Sequence, residues 1–350
     1  MDLREMKRAG EILKKGGLVA FPTETVYGLG GDALDETAAH RIYEAKGRPS
    51  DNPLIVHIAD MEHLDKIVKY VPESARKLAE AFWPGPLTMI MDKSDAVPHG
   101  TTGGLDTVAI RMPSDTIALE LIRQGGGYVA APSANTSGRP SPTTAQHVYE
   151  DLQGKIPMIL DGGAVTIGLE STIVDLTEEV PTILRPGYIS LEMVQAVLGE
   201  AKMDKGLISS DSNIHPKAPG MKYRHYAPKA ELVLVEEKNP ETKEVISDRV
   251  IEEINRLAKE RLDQGQKVGI ICTEETRDRY PQGMVRSLGF RSKPETIAHN
   301  LFAVLREFDD LGADYIYSES FPKDHLGQAI MNRLTKAAGY HILDVKEAEK

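Results

Sequence analysis

The sequence predicts an α/β protein of two domains, and three observations carry that expectation. Over residues 1–200 short apolar runs alternate with helical patterns, as in a sheet layered with helices. Between 201 and 229 the periodicity fades into linker composition. From 230 to 350 it restarts in strand–helix order, three times over, which suggests a smaller doubly wound, Rossmann-like domain with a parallel sheet. A chain of 350 residues is also too long for one ordinary domain.

In chain order, Leu3, Met6, Ile12 and Leu13 interleave with charge as one stripe of an amphipathic helix, which Gly16-Gly17 ends. Residues 18–21 then run into Pro22 as a buried strand would. Further strand-like runs occupy 53–59, 87–91, 107–112, 128–131, 158–160, 171–175 and 181–184, with helical patterns at 74–83, 115–124 and 144–152. The segment 201–229 holds Ser209-Ser210-Asp211-Ser212-Asn213 and Pro216, Pro219 and Pro228, the composition of a tether. Met221-Lys222-Tyr223-Arg224-His225-Tyr226 argues otherwise, because two tyrosines and three potential cations suit a surface that binds. Beyond it come a strand at 231–235, a helix to about 264, a strand at 267–272, a helix at 293–311, a strand at 314–317 and a helix at 327–338.

Composition narrows the function. The formal net charge is −11 and aromatics are 5% of residues, so phosphate neutralisation and base stacking are poor explanations of this surface, and direct binding of nucleic acid is expected to be weak or absent. Cations that converge against an acidic background point instead to a small anionic molecule in a pocket. Cys272 is the one cysteine, which rules out an internal disulfide and a thiolate metal cluster. The charged N-terminus lacks the apolar core of a signal peptide and no run of about 18 apolar residues occurs, so a cytoplasmic location off the membrane is expected.

Several segments could carry chemistry. Phe21-Pro22-Thr23-Glu24-Thr25-Val26-Tyr27-Gly28-Leu29-Gly30 follows the first strand and offers hydroxyls, a carboxylate and close glycines; its glycines come too late for a dinucleotide turn. Lys46-Gly47-Arg48-Pro49-Ser50-Asp51-Asn52-Pro53 sets two cations beside a pre-formed turn, suited either to a triphosphate or to a helix dipole. His57 stands in an apolar strand on one face with Ile55, as a core histidine or a ligand-facing one. Arg111 closes another apolar strand and needs an anionic partner, a carboxylate ligand or a structural aspartate, or else an exit to solvent. Ala131-Pro132-Ser133-Ala134-Asn135-Thr136-Ser137-Gly138-Arg139-Pro140-Ser141-Pro142 presents small donors on a rigid loop before a helix whose N-terminus favours phosphate. Glu170-Ser171-Thr172 and Leu184-Arg185-Pro186-Gly187 flank further strands. Cations at strand and helix ends in one domain imply a pocket for a polyanionic small molecule.

Together these segments, with Trp83-Pro84-Gly85-Pro86-Leu87-Thr88, Val108-Ala109-Ile110-Arg111-Met112-Pro113 and Ile173, resemble the YrdC-like family of threonylcarbamoyl-AMP synthases, in order across residues 10–190. The linker Pro219-Gly220-Met221-Lys222-Tyr223-Arg224-His225-Tyr226-Ala227-Pro228 and the second α/β domain resemble its long, two-domain form. The resemblance implies a twisted, open mixed sheet over residues 1–200, a linker and lid at 201–229, and a Rossmann-like domain at 230–350. It implies a nucleotidyltransferase that joins L-threonine, bicarbonate and ATP, with Mg²⁺, into threonylcarbamoyl-AMP and pyrophosphate. A separate transferase complex would then carry the group to tRNA beside the anticodon. It further implies that Thr25, His57, Arg111, Ala131 and Ser171 line the threonine site. Lys46, Arg48, Asn52, Thr107, Ser133, Asn135, Ser141 and Arg185 would surround ATP, with Tyr223 closing over the nucleotide. Lys46, Arg48 and Arg111 are the residues expected to act on the reacting groups; no protein-held metal is expected.

Two other readings stay open at this stage. One is an RNA-binding or ribosome-assembly factor that uses a concave positive face. The other is a carbamoyl transferase fed by carbamoyl phosphate, whose zinc-finger-like module a chain with one cysteine does not supply.

Overall fold

A computed structural model describes residues 2–208, 217–219, 225–237 and 246–345, with the backbone alone at 207 and 208. It divides into two compact units, residues 1–137 with 141–223, and residues 138–140 with 224–350.

The first unit is a ten-stranded mixed sheet. Its strands are β1 (Val19–Phe21), β2 (Gly28–Asp32), β3 (Ile55–His57), β4 (Leu87–Asp92), β5 (Thr107–Arg111), β6 (Val129–Ala131), β7 (Met158–Ile159), β8 (Thr172–Asp175), β9 (Thr182–Arg185) and β10 (Lys202–Met203), arranged β10-β9-β8-β4-β5-β3-β6-β2-β1-β7. The helices are α1 (Leu3–Lys14), α2 (Glu36–Lys46), α3 (Leu64–Ile67), α4 (Glu73–Phe82), α5 (His99–Thr102), α6 (Thr116–Gln124), α7 (Ala145–Leu152) and α8 (Leu191–Leu198). Capping fixes several of them: Asp2, Asp35, Asp115, Thr144 and Ser190 each accept a backbone N–H of the first turn.

The two faces of this sheet are filled differently. Leu18, Tyr27, Leu29, Ile42, Val56, Leu78, Met89, Ile110 and Val174 belong to the main core, under α2 and α4. On the other face, α1 and α6 cover only one end, where Met6, Leu13, Leu121 and Ile122 pack on Val19, Phe21, Val129 and Ala131. Beyond that end the same face carries Ile55, Ile90, Ala109, Ile173 and Leu184, met among the described residues by Ala218. This half of the sheet is where polar side chains can stand on strands with no helix among the described residues above them.

The second unit holds β11 (Glu231–Glu236), β12 (Val268–Cys272), β13 (Met284–Ser287), β14 (Tyr315–Glu319) and β15 (Ile342–Asp344) in the order β13-β12-β14-β11-β15, every pair parallel. The helices α9 (Asp248–Asp263), α10 (Pro294–Asp310) and α11 (His325–Ala337) make the crossovers. Residues 138–140 belong here: Arg306, buried, donates from Nε and Nη2 to the Pro140 carbonyl at 3.1 and 2.7 Å.

Fold class agrees with expectation in both units. The differences lie in short elements. Residues 28–32, outside the strand-like runs of the sequence, form β2, paired antiparallel to β1 with Gly30 opposite Val19. A Cβ at Gly30 would come within 2.8 Å of Val129 Cγ1, so glycine sits there for close packing and not for turn freedom. The strands β13 and β15 were not expected, since edge strands of three or four partly buried residues leave no apolar run.

Candidate active site

Strand register builds the site. Residues paired across a ladder point to the same face, and the pairs His57↔Val129, His57↔Arg111, Thr88↔Arg111, Thr88↔Ile173 and Ile173↔Arg185 run unbroken over β6, β3, β5, β4, β8 and β9. The row Val129–His57–Arg111–Thr88–Ile173–Arg185 therefore runs from the end covered by α1 and α6 across the half of the sheet that no helix among the described residues covers. Four of its six members are polar, and all four are buried.

Each polar member is held. Arg111 donates from Nη1 to Thr25 Oγ1 at 2.9 Å and from Nε to the Gly85 carbonyl at 3.3 Å. Its Nη2 lies 2.7 Å from Glu24 Oε1, close enough for an ion pair but without the alignment of a hydrogen bond. The anion that Arg111 needed is thus a structural carboxylate, Glu24. His57 places Nδ1 3.0 Å from the Ile55 carbonyl; a carbonyl only accepts, so Nδ1 carries the proton of the neutral ring. Burial, helped by the nearby Arg111 charge, pulls the His57 pKa down to about 3. Thr88 Oγ1 and Ser171 Oγ share a hydrogen bond of 2.8 Å, and Arg185 grips Ser171 twice, Nε to its carbonyl at 3.0 Å and Nη2 to its Oγ at 3.1 Å. Arg185 Nη1 also reaches the Pro219 carbonyl at 3.4 Å, which sets the start of the 219–228 segment beside this row.

A second group stands at the other end of the same strands. Thr107 is on the face of Arg111 but four residues earlier, about 13 Å away at 3.3 Å per residue. Nearby, Arg48 donates from Nε to the Asn52 carbonyl at 3.3 Å and from Nη2 to the Pro53 carbonyl at 3.1 Å, so it clasps its own loop. Asn52 is buried and its Oδ1 lacks a hydrogen-bond partner among the described residues. Ala131 is opposite Ile55, and the loop after it carries Ser133, whose Oγ donates to Asn135 Oδ1 at 2.6 Å. Lys46, almost wholly buried, donates to the carbonyls of both Ser133 and Asn135. Gly47 makes this reach possible by ending α2 in the left-handed conformation at φ 62°. Ser141 donates to the Glu170 carboxylate.

The loops are also tied to one another. Leu29 N–H donates to Pro132 O, Ala134 N–H to Tyr27 O, Tyr27 N–H to Pro142 O and Gly168 N–H to Thr25 O, all between 2.8 and 3.1 Å. Tyr27 Oη donates to Gly163 O at 2.7 Å and accepts from Gly162 N–H at 3.1 Å.

Of the residues expected at a site, His57, Arg111, Thr25 and Ser171, with Arg185, meet at one end. Lys46, Arg48, Asn52, Thr107, Ala131, Ser133 and Asn135 gather toward the other. Tyr223 lies outside the described residues. Glu24, Thr88 and Glu170 were not singled out, although all three stand in motifs quoted for the site; their partners Arg111, Ser171 and Ser141 were.

Comparison with known proteins decides the family. The family model described as telomere recombination, for Sua5, YciO and YrdC, matches residues 11–187, and the model described as threonylcarbamoyl-AMP synthase, C-terminal domain, matches residues 189–339. The chain belongs to the Sua5/YciO/YrdC family, in its two-domain form. Threonylcarbamoyl-AMP synthase of Pyrococcus abyssi is 50% identical over 341 residues, covering 97% of this chain and 96% of that one. The enzyme of the same name from Bacillus subtilis is 48% identical over 340 residues, covering 97% and 94%. The crystal structure of P. abyssi Sua5 complexed with L-threonine superposes with a TM-score of 0.91 at 49% identity, over 98% of this chain and 97% of that one. In this Sua5-like chain, as in those relatives, the similarity runs through both units.

Proposed function

We propose that this chain is an L-threonylcarbamoyladenylate synthase, a nucleotidyltransferase that uses L-threonine, bicarbonate and ATP. The observation that carries the reading is the buried row His57–Arg111–Thr88 with Ser171 and Arg185, in a chain about half identical to synthases over almost its whole length. Those likenesses support this reading and give none to the RNA-binding alternative.

Threonine and bicarbonate condense to a carbamate, water and a proton; a carbamate oxygen then attacks the α-phosphorus of ATP and pyrophosphate leaves. Such a transfer needs positioning and charge neutralisation more than a covalent nucleophile. Arg111 is the residue for the threonine carboxylate: its Nη2 makes only an unaligned contact with Glu24, so its N–H groups remain able to donate. Neutral His57 and the hydroxyls of Thr25 and Ser171 offer polar contacts for the amine and side chain. Lys46, Arg48, Asn52, Thr107, Ser133 and Asn135 at the other end, with Ser141 beside Glu170 and Arg185 beside Ser171, would meet ATP. Mg²⁺ would arrive on the triphosphate, held by phosphate oxygens and water. The segment 219–228, with Tyr223, would close over the labile product, which a tRNA threonylcarbamoyl-transferase would take up; a cytoplasmic setting fits that hand-over. Among the described residues no helix is long and apolar enough to cross a membrane.

Pyrophosphate release by the purified chain, with threonine and bicarbonate each left out, tests the reading. Release that needs both is the expected result. Release indifferent to both, with tight RNA binding at physiological salt, would overturn it.

A further inference from the structure

We propose that the second unit carries a ligand site of its own, at the carboxyl ends of β12, β13 and β14, for a phosphate-bearing small molecule the size of a nucleoside monophosphate. The topology provides the place. The chain leaves β12 toward β13 at one edge of the sheet and leaves β14, through α11, toward β15 at the other. Connections that part in this way open a crevice at the ends of a parallel sheet. A cavity of about 640 Å³ lies there, lined by Ile246 ahead of α9 and from three successive loops: Glu275, Thr276 and Arg279 after β12, Arg291 and Ser292 after β13, and Pro322 after β14. The volume is that of a small-ligand pocket and too large for a bare phosphate.

The lining favours an anion at one end. The Arg291 side chain is more than nine-tenths buried; Nη2 pairs with Glu319 at 2.8 Å and Nη1 donates to the Ser320 carbonyl at 3.1 Å, while Nε has no hydrogen-bond partner among the described residues. A buried guanidinium N–H without an acceptor is a costly arrangement that a ligand oxygen would relieve. Below the cavity Glu319 also accepts from Thr276 and from the Tyr280 hydroxyl, which fixes the guanidinium in place. Arg279 adds a second cation at the rim, half exposed and 2.9 Å from Asp248. Ser292 stands just before α10, whose N-cap residue, Lys293, makes no side-chain cap, so the helix dipole adds to the same potential. The loop already holds one oxyanion: Glu275 accepts the backbone N–H of Arg291 with both oxygens, at 2.9 and 3.1 Å. Glu275 is also an acceptor suited to sugar hydroxyls, and Ile246 and Pro322 give the apolar wall that a base would use.

Amide hydrogen exchange on the full chain, read peptide by peptide, tests this with AMP and inorganic phosphate as probes. AMP at twice its Kd should slow exchange in residues 274–280 and 289–296 by about threefold, the factor 1 + [L]/Kd. Arg279→Glu and Ser292→Asp should each abolish that slowing, with unliganded exchange elsewhere in the second unit unchanged and any AMP effect on residues 44–57 retained. The proposal fails if neither probe slows these peptides at roughly 10 mM, an affinity too weak to be specific. It fails equally if the slowing survives both substitutions, or if phosphate protects and AMP does not. The outcome is independent of the synthase reading.

Discussion

Glu24 Oε1 and Arg111 Nη2 lie 2.7 Å apart, and both side chains are more than nine-tenths buried. The pair joins the loop after β1 to the end of β5, and through Thr25 it fixes the guanidinium against the row of polar residues on the sheet. Removing the carboxylate leaves a buried charge alone, which typically costs about 3–5 kcal/mol. Glu24→Ala should lower the denaturation free energy by that order and abolish threonine-dependent turnover. Glu24→Gln, which keeps the shape, should lose less stability but still weaken threonine affinity. Calorimetric binding of threonine to both variants checks this, and unchanged affinity in the folded glutamine variant would reduce the pair to a strut.

His57 gives the protein a defined response to acid. Its folded pKa is depressed to about 3 by burial and the nearby Arg111, from an ordinary value of 6.5. The unfolded chain therefore takes up a proton on falling through 6.5 that the folded chain refuses. The stability involved is fully present above pH 6.5 and is lost progressively as pH falls toward the folded value. Between pH 7 and 5 the loss is about 2 kcal/mol from this one group. Urea denaturation of the wild type and of His57→Gln at both pH values should show the variant losing less. Parallel losses would mean that the imidazole becomes charged in place.

Gly187 is required by contact, not by its backbone angles. A Cβ there would stand 2.4 Å from the Thr172 nitrogen and 2.9 Å from the Glu170 carbonyl. Those atoms flank Ser171, so Gly187→Ala must push the strand start that carries it. We expect a loss of turnover of about tenfold or more, from misplacement of well under an ångström to an ångström, with stability lowered by about 1–3 kcal/mol. An active, equally stable alanine variant would show that the two segments part without consequence.

Lys46 shows how a side chain can serve a loop and a ligand together. It is 1% exposed and donates to two carbonyls of the segment carrying Ser133 and Asn135. In Lys46→Ala those carbonyls lose a charged donor, and pyrophosphate release should fall by about 100-fold or more. Thermal unfolding should move down as well, since each buried acceptor left unsatisfied costs about 1–3 kcal/mol. Lost turnover without lost stability would assign the lysine to the nucleotide alone.

Much of this was legible in the sequence, for a physical reason. Leu54-Ile55-Val56-His57-Ile58 and Thr107-Val108-Ala109-Ile110-Arg111 each set one polar group in an apolar strand, and a buried polar group needs a partner. Such groups announce a site before its geometry is known. Which partner each takes is not local information. Glu24 meets Arg111 across 87 positions of sequence, and Ser171 meets Thr88 across 83, through strand order that no single segment encodes. Short elements hid for a different reason: Gly28-Leu29-Gly30-Gly31-Asp32 forms β2 through close packing of glycines, which carry no strand propensity. Membership of residues 138–140 in the second unit depends on Arg306, which lies 166 residues beyond Pro140.

Arg185 and Ser171 test whether the two substrate sites act as one. Arg185 is assigned above to the nucleotide and Ser171 to threonine, yet two hydrogen bonds of 3.0 and 3.1 Å join them, and Ser171 continues to Thr88. If the guanidinium positions Ser171, then Ser171→Ala should matter little once Arg185 has become lysine, which lacks the fork needed to hold both the carbonyl and the hydroxyl. The free energies from kcat/KM of the single and double variants should then fail to add by about 1 kcal/mol or more. Additivity within about 0.3–0.5 kcal/mol, the behaviour of independent sites, would mean that the contact is structural and that each residue serves its own substrate.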